Sequence, residues 1–220
     1  MIQGAIFDFD GTLFDSMFIW DTIGNDYLRS IGYEPKEDLS EVFKSMSLVQ
    51  AACWYQKEYG VTLCVKEIMD GVNQMIEHDY RDVIQPKKGV PDFLQKLSDR
   101  GVRMIIATAT DRTLIEAALK KYKLDHYFAD ILTCTAVGSG KDGPEIYRRA
   151  AKELGTAKKD TVVFEDALYA IETAVKDGFP VAAVWDESEK ETDKIKKLAA
   201  YYLLDYLDFN TFWKQTSLQK

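Results

Sequence analysis

The sequence lacks the features that mark several classes of protein. No apolar run among its 220 residues approaches the roughly 20 residues that a transmembrane helix needs, so we expect no membrane contact. Cysteine is rare, and no Cys-x-x-Cys pair occurs, which argues against a zinc knuckle and against a disulfide framework. We interpret the three cysteines as small apolar fillers in a reducing cytoplasm: Cys53, Cys64 and Cys134.

Positive charge is in deficit as well. The chain carries 28 Lys and Arg against 36 Asp and Glu, a net charge of −8, whereas a nucleic-acid-binding surface needs an excess of basic residues. We therefore expect no nucleic-acid partner, and a phosphorylated ligand must be attracted by local positive charge. The first residues contain no basic stretch followed by an apolar run, so we expect no secretory signal and a cytoplasmic protein.

Two hydrophobic patterns divide the chain. Hydrophobic residues make up 46% and charged residues 29%, as in ordinary globular proteins, and the length allows one sizeable core with a smaller insertion. The region from 16 to 85 has helical spacing throughout, and from residue 86 onward helices alternate with short apolar strands. The helices predicted in the first region are 18–31, 39–46, 48–59 and 65–80.

These patterns predict a doubly wound, Rossmann-like α/β fold. Uniformly apolar strands that alternate with helices form parallel sheets covered on both faces. The predicted strands are 2–9, 102–107, 130–134, 161–164, 181–185 and 201–204. We expect residues 1–15 and 86–220 to form this core, and residues 16–85 to form a helical cap joined to it at two crossings. The crossings either act as a hinge or hold the cap as a fixed subdomain.

Two acids stand where the first predicted strand ends. Side chains two residues apart on a strand point the same way, so Asp8 and Asp10 should converge at the sheet edge where open parallel sheets bind ligands. A solvated turn would also accept Asp-x-Asp-Gly, because Asp and Gly are ordinary turn residues. The alternative that we favour is a carboxylate nucleophile at Asp8, an acid/base partner at Asp10 and a bound divalent cation.

The segment 8–13, DFDGTL, resembles the first signature of the haloacid dehalogenase-like (HAD) hydrolases, most of which are phosphatases. Three later segments resemble the remaining signatures and follow in the same order, so the resemblance covers nearly the whole chain. The similarity is greatest to the branch of β-phosphoglucomutases and phosphoglycolate phosphatases. It implies a HAD core with an inserted helical cap, a Mg²⁺ cofactor and a small phosphorylated metabolite as substrate.

The second segment ends in a hydroxyl group. Thr108 follows the apolar strand 102–107, and a threonine at a strand end is commonplace. The resemblance implies that Thr108 hydrogen-bonds the phosphoryl group, together with Ala109. Thr110 either faces the substrate or caps the next helix.

The third segment supplies positive charge. Lys141 lies between glycines and a helix predicted to begin at Pro144, and a lysine in such a loop is usually only solvated. The spacing Lys-x-x-Pro-x-x-Tyr resembles the HAD signature in which the lysine holds the nucleophile and the phosphate. The ammonium of Lys141 would then offset the clustered carboxylates and the incoming phosphate at close range.

The fourth segment adds two more acids. Glu165 and Asp166 follow the strand 161–164, although Asp166 alone could be a helix N-cap. With Asp8 and Asp10 they make four converging carboxylates, whose repulsion would cost stability without a cation. Oxygen ligands beside a phosphate favour Mg²⁺. We expect Asp8, Asp166 and the backbone carbonyl of Asp10 to hold it, with Glu165 as a direct or more distant ligand.

The resemblance implies a phosphatase in which Asp8 attacks phosphorus and Asp10 acts first as acid and then as base. Backbone amides around Gly11 and Thr12 would help to hold the phosphoryl oxygens. We expect a monomer or a weak homodimer. Four aromatic residues are candidates for shaping the leaving-group pocket: Phe14, Trp20, Trp54 and Tyr55.

The chain departs from the family pattern at two places. Ala167 stands where this branch usually has a serine at the start of a helix. In the cap, Ser45 and Leu48 stand where sugar-phosphate mutases carry a glycine and a substrate-binding arginine, and the loss of that arginine removes a clamp for a second phosphate. A mutase is the alternative function. A non-catalytic binding module is a further one, although an idle site has no use for buried, clustered charge.

Overall fold

The computed structural model describes residues 2–36, 38–44 and 46–218. The strands of this part of the chain are β1 (Gly4–Phe7), β2 (Phe14–Asp15), β3 (Gln85–Pro86), β4 (Arg103–Thr108), β5 (Phe128–Thr133), β6 (Thr161–Glu165), β7 (Val181–Val184) and β8 (Tyr201–Leu203). The α-helices are α1 (Met17–Ser30), α2 (Leu39–Phe43), α3 (Leu48–Tyr59), α4 (Val65–His78), α5 (Val90–Ser98), α6 (Arg112–Tyr122), α7 (Cys134–Val137), α8 (Glu145–Leu154), α9 (Leu168–Lys176), α10 (Thr192–Leu198) and α11 (Phe209–Leu218).

Six of the strands form a parallel sheet in the order β5-β4-β1-β6-β7-β8, which confirms the predicted doubly wound α/β fold. β1 lies between β4 and β6, and Ile6 is aligned with Ile105 on one side and with Val163 on the other. After β1 the chain adds β4 and β5 on one side of this strand, and it then crosses over to add β6, β7 and β8 on the other side. The carboxyl ends of β1, β4 and β6 therefore meet at the switch point of the sheet, where such folds bind ligands.

Helices cover both faces of the sheet, and consecutive residues of the central strands are buried, one toward each face. On one face Phe7 stacks on Phe164 with 4.2 Å between ring centroids, and Phe93 of α5 and Phe212 of α11 pack against the same cluster. On the other face Ile6 belongs to a second buried cluster, which includes residues of α8 and α9. Burial on both faces explains why the strands are continuous apolar runs.

The four helices α1 to α4 lie between the two short strands β2 and β3. These strands pair antiparallel, with Phe14 opposite Pro86, and the N–H of Lys87 donates to the carbonyl of Leu13 at 2.9 Å. The two connections between cap and core are therefore bonded to each other. The boundaries that we predicted at residues 16 and 85 stay predictions, although both short strands lie at these positions.

Several local expectations were wrong. The C-terminal helix α11 was not predicted; it begins beside Asp208, whose carboxylate accepts the N–H of Thr211, and its Phe209 and Phe212 are buried. Two of the cysteines, Cys53 and Cys64, are exposed and do not fill the core, whereas Cys134 is buried. Helix α4 ends at His78 and continues as a π-helical turn over Asp79–Val83. No helix in the described ranges is long and apolar enough to cross a membrane.

Candidate active site

A sharp turn after β1 brings its acids to the end of β6. The N–H of Asp8 donates to the carbonyl of Phe164 at 3.0 Å and so extends the pairing of the two strands. Gly11 then adopts a left-handed conformation with φ of +72°, and a Cβ atom at this position would lie 2.4 Å from Oδ2 of Asp166. Glycine is required here by both backbone conformation and space, so the turn fits closely over Asp166.

Lys141 connects the ends of β1 and β6. Its ammonium group donates to Asp8 and, at 2.6 Å, to Oε1 of Glu165, and all three side chains are buried. Burial alone would lower the pKa of Lys141, but the charges of Asp8 and Glu165 raise this pKa well above its ordinary value. The loop between α7 and α8 therefore delivers a permanent positive charge to the predicted nucleophile.

Both oxygens of Glu165 are engaged by donors of the protein. Oε1 accepts from Lys141 and, at 3.2 Å, from the hydroxyl of Tyr147, while Oε2 accepts the N–H groups of Asp166 and Ala167 at 3.0 and 3.3 Å. These four bonds fix the carboxylate, and the carboxylate in turn holds Lys141 against Asp8. The Tyr147 contact explains why the tyrosine of the lysine motif stands six residues after Lys141.

Three carboxylates meet at this point. Asp8, Glu165 and Asp166 are buried, and their oxygens lie within 4.8 Å of one another. Burial raises the pKa of Asp8 to about 8, although Lys141 lowers it, and the charge of Glu165 raises it further. Burial and the charges of Glu165 and Asp8 raise the pKa of Asp166 well above its ordinary value. Excess negative charge on hard oxygen donors fits a divalent cation such as Mg²⁺.

The carboxylate of Asp10 lies apart from this cluster and is held by three hydroxyl groups. Ser16 donates to Oδ1 at 2.6 Å, Tyr80 donates to Oδ1 at 2.5 Å, and Thr110 donates to Oδ2 at 2.6 Å. Burial and the charge of Asp10 raise the pKa of Tyr80 well above its ordinary value, so its phenol remains a donor. Because these hydroxyl groups hold the Asp10 side chain, Asp10 would bind the predicted metal ion through its backbone carbonyl.

The predicted phosphate-binding residues surround Asp8 in different ways. Thr108 ends β4 and is fully buried, and its hydroxyl accepts the N–H of Thr110 at 3.1 Å. Ala109 lines the pocket described below. The hydroxyl of Thr12 donates to Oδ1 of Asp166 at 2.8 Å and so fixes the end of β6. The contacts of these residues with a phosphate group stay predictions.

A pocket opens above Asp8 and extends between core and cap. Most of the cap residues that line it are apolar: Met17, Trp20, Phe43, Met46 and Leu48. Asp21, Ser40 and Lys44 line it from the cap as well. Of the four aromatic residues expected here, only Trp20 lines the pocket. The expectation was wrong for the other three, because Phe14 and Tyr55 are buried in the core and Trp54 packs against it.

One ion pair joins the two sides of the pocket mouth. Nζ of Lys44 in the cap lies 3.3 Å from Oε2 of Glu189 in the core, and the Glu189 carboxylate also accepts the N–H groups of Leu168 and Glu191 at 3.1 and 3.0 Å. Among the described residues that line the pocket, there is no arginine. Ser45, which we compared with a glycine of the mutases, lies outside the described residues.

Three residues of this site were not predicted from the sequence. Tyr80, Lys44 and Glu189 belong to no signature segment, and each reaches the site from a distant part of the chain. The only local indication was the end of helical spacing at Tyr80. Their roles depend on how cap and core meet, which hydrophobic spacing does not encode.

Comparison with known proteins agrees with the predicted resemblance. The family model for haloacid dehalogenase-like hydrolases matches residues 5–184. The chain is 22% identical over 177 residues to a phosphorylated carbohydrates phosphatase of Thermotoga maritima, covering 80% of this chain and 82% of that one. It is also 22% identical over 169 residues to hexitol phosphatase B of Escherichia coli K12, covering 76% of each.

Solved structures show the same fold. A crystal structure of CbbY from Rhodobacter sphaeroides with phosphate superposes with a TM-score of 0.80, at 20% identity over 94% of this chain and 96% of that one. A hydrolase from Pseudomonas syringae also gives a TM-score of 0.80, at 22% identity over 97% and 98% of the two chains. The family model spans most of the chain and includes all four signature segments. The prediction of a hydrolytic enzyme is thereby confirmed, and the chain belongs to the haloacid dehalogenase-like hydrolase family.

Proposed function

We propose that this chain is a Mg²⁺-dependent phosphatase that hydrolyses a small phosphate monoester through an aspartyl-phosphate on Asp8. The observation that carries the proposal is the contact of Asp8 with Lys141 beside two further buried carboxylates, Glu165 and Asp166, at the base of a pocket. A cation and carboxylates in this arrangement suit a substrate that is an anion and a cofactor that is a metal ion.

Each step can be assigned to a residue of the chain. A carboxylate oxygen of Asp8 attacks phosphorus, the bond from phosphorus to the ester oxygen breaks, and Asp10 gives its proton to that leaving oxygen. Asp10 then takes a proton from water as the water attacks the phosphorus. The bond to Asp8 breaks, which releases inorganic phosphate and restores both carboxyl groups. Lys141 and Thr108 would bind phosphoryl oxygens.

The donor set fits Mg²⁺. Asp8, Asp166 and the backbone carbonyl of Asp10 would hold the ion, with Glu165 nearby and already bonded to Lys141. When bound, Mg²⁺ would compensate the negative charge of the carboxylates and polarise the phosphoryl oxygens.

The pocket favours a substrate with one phosphate group and a neutral leaving group. Its cap side is mostly apolar, and its Lys44 is already paired with Glu189. Two similar proteins are named as phosphatases of phosphorylated carbohydrates and hexitols, so we propose phosphorylated sugars or polyols as the substrates to test first. We propose that the enzyme acts on such metabolites in the cytoplasm, as a monomer or weak homodimer.

The test is release of inorganic phosphate from a panel of sugar and polyol phosphates, with Mg²⁺ and after chelation. We expect Mg²⁺-dependent turnover that Asp8→Asn lowers by at least about 10³-fold. Asp26→Asn makes the same chemical change on an exposed helix position and should leave turnover unchanged. Equal phosphate release by the Asp8→Asn and unmodified proteins would contradict the proposal, as would conversion of a sugar phosphate into its isomer.

A further inference from the structure

The two connections between cap and core meet at one oxygen atom of Asp10. Ser16 lies immediately before α1 at the first connection, and Tyr80 lies in the π-helical turn before β3 at the second. Both hydroxyl groups donate to Oδ1, at 2.6 and 2.5 Å. Residues 64 positions apart in sequence, one at each connection, therefore bond to the same atom.

Packing and hydrogen bonds hold Tyr80 in place. It is fully buried, its ring lies against that of Phe9 with 6.2 Å between centroids, and its hydroxyl accepts the indole N–H of Trp20 at 3.1 Å. A hydroxyl that accepts from Trp20 has its own hydrogen free to point at Asp10. Isolated π-helical turns within helices occur often at functional sites, and here the turn sets the direction of this side chain.

The hydrogen bonds of Asp10 distinguish its two oxygens. Oδ1 accepts two hydroxyl groups, which fills its acceptor sites, whereas among the bonds made by the described residues Oδ2 accepts only that of Thr110. Oδ2 thus retains a site that can carry a proton. Asp10 and Thr110 both line the pocket, while Tyr80 does not.

We propose that Tyr80 is a positioning residue that directs Oδ2 of Asp10 toward the leaving oxygen of the substrate, and that makes this alignment depend on the seated cap. The proposal rests on the proposed function. The proton passes from Oδ2 to the ester oxygen as the bond from phosphorus to that oxygen breaks. The hydroxyl groups on Oδ1 stabilise the carboxylate that remains.

The test uses two substrates of similar shape whose leaving groups differ in their need for a proton. The p-nitrophenolate ion leaves unprotonated, whereas the benzyl alkoxide requires an acid. Since kcat/KM reports steps up to departure of the leaving group, misplacement of Asp10 should affect benzyl phosphate only. Asp10→Ala gives the reference for complete loss of the acid. Tyr122→Phe is the matched control, because its hydroxyl also lies near the crossings but donates to the carbonyl of Ile84.

For Tyr80→Phe we expect kcat/KM with benzyl phosphate to fall about 10- to 100-fold, part of the loss shown by Asp10→Ala. For p-nitrophenyl phosphate, kcat/KM of Tyr80→Phe should change less than about 3-fold. For Tyr122→Phe, kcat/KM with each of the two substrates should also change less than about 3-fold. The proposal would be overturned if Tyr80→Phe lowered kcat/KM equally for both substrates, which is also the result that misfolding would give. It would be overturned as well if Tyr80→Phe lowered kcat/KM for neither substrate. If the unmodified protein released no phosphate from benzyl phosphate, from p-nitrophenyl phosphate or from any sugar phosphate, the proposed function itself would be contradicted.

Discussion

Asp8 occupies a position that is unfavourable for a charged carboxylate. It is buried, it lies within reach of two other acids, and Lys141 offers the nearest compensation. A protein without a ligand for this site gains nothing from such crowding, because a neutral pair of the same shape would be more stable. The arrangement is understandable if a cation and a phosphate complete it.

The stability of the metal-free protein should therefore decrease with rising pH. Asp8 has a pKa of about 8 in the folded chain against an ordinary value of 3.8, so the folded state binds a proton between these values that the unfolded state releases. Stability is then lost as the pH rises through this window, by up to about 1 kcal/mol per pH unit. Urea unfolding at pH 5, 6, 7 and 8 in the presence of a chelator measures the slope.

Two controls accompany this experiment. Asp8→Asn should reduce the slope, because it removes one of the two buried acids with a raised pKa; Asp166 remains. Mg²⁺ should stabilise the protein more at pH 8 than at pH 5, because the carboxylates must release their protons to bind it. Stability of the metal-free protein that increases from pH 5 to 8 would contradict the assignment.

Residues within the signature segments could be predicted from the sequence because their chemistry is local. Asp8 and Asp166 each follow an apolar strand directly, and parallel strands end at the same edge. Tyr80 and Glu189 could not be predicted, since each is an ordinary residue until the cap or a distant loop brings it to the site. The orientation of the Asp10 side chain depends in part on Tyr80 and could not be predicted either.

Helix α9 begins without a capping side chain of its own. Ala167 occupies the N-cap position and makes no side-chain hydrogen bond, at the place where the family usually has a serine. Two carboxylates compensate: the nearby Glu165 accepts the N–H of Ala167, and the distant Glu189 accepts the N–H of Leu168 at 3.1 Å. The negative charge of Glu189 also lies at the favourable end of the helix dipole.

We expect Glu189→Ala to lower the free energy of unfolding by about 1–2 kcal/mol, as loss of a helix cap does. Lys44→Ala removes the ion pair with Glu189 but keeps the cap, and should cost less than about 0.5 kcal/mol because Lys44 is 39% exposed. Adding Ala167→Ser to Glu189→Ala should restore part of the loss. Chemical denaturation of the four proteins measures these differences; similar losses for Lys44→Ala and Glu189→Ala would show that the ion pair, and not the cap, is responsible.

At the level of elements, the strands of the main sheet were predictable because both faces are buried and the runs are continuous. The strands β2 and β3 have two residues each and exist only because the two crossings approach one another. Helix α11 was missed because polar residues separate its aromatic ones, and its stability comes from packing of Phe209 and Phe212 on Phe93. Tertiary contact, rather than local propensity, forms these elements.

In the molecule as a whole, the core and the cap contribute different parts of one site. The sheet edge holds the predicted nucleophile, its lysine and the acids that would bind the metal, while the crossings orient Asp10. The cap closes the pocket with apolar side chains and one ion pair to the core. In the proposed function, the core would perform the chemistry and the cap would select the substrate, and Asp10 lines the pocket between them.

The most direct test of the proposed chemistry is detection of the phosphoryl group on Asp8. The Asp10→Ala protein is mixed with p-nitrophenyl phosphate and Mg²⁺, quenched in acid and digested, and the peptides are analysed by mass spectrometry. p-Nitrophenolate leaves without an acid, so Asp8 can be phosphorylated in this variant, whereas the attacking water lacks Asp10 as its base. We therefore expect the phosphorylated peptide that contains Asp8 to accumulate, and not to form when a chelator removes Mg²⁺. Release of p-nitrophenolate with no phosphorylated Asp8, or a phosphoryl group on another residue, would contradict the account.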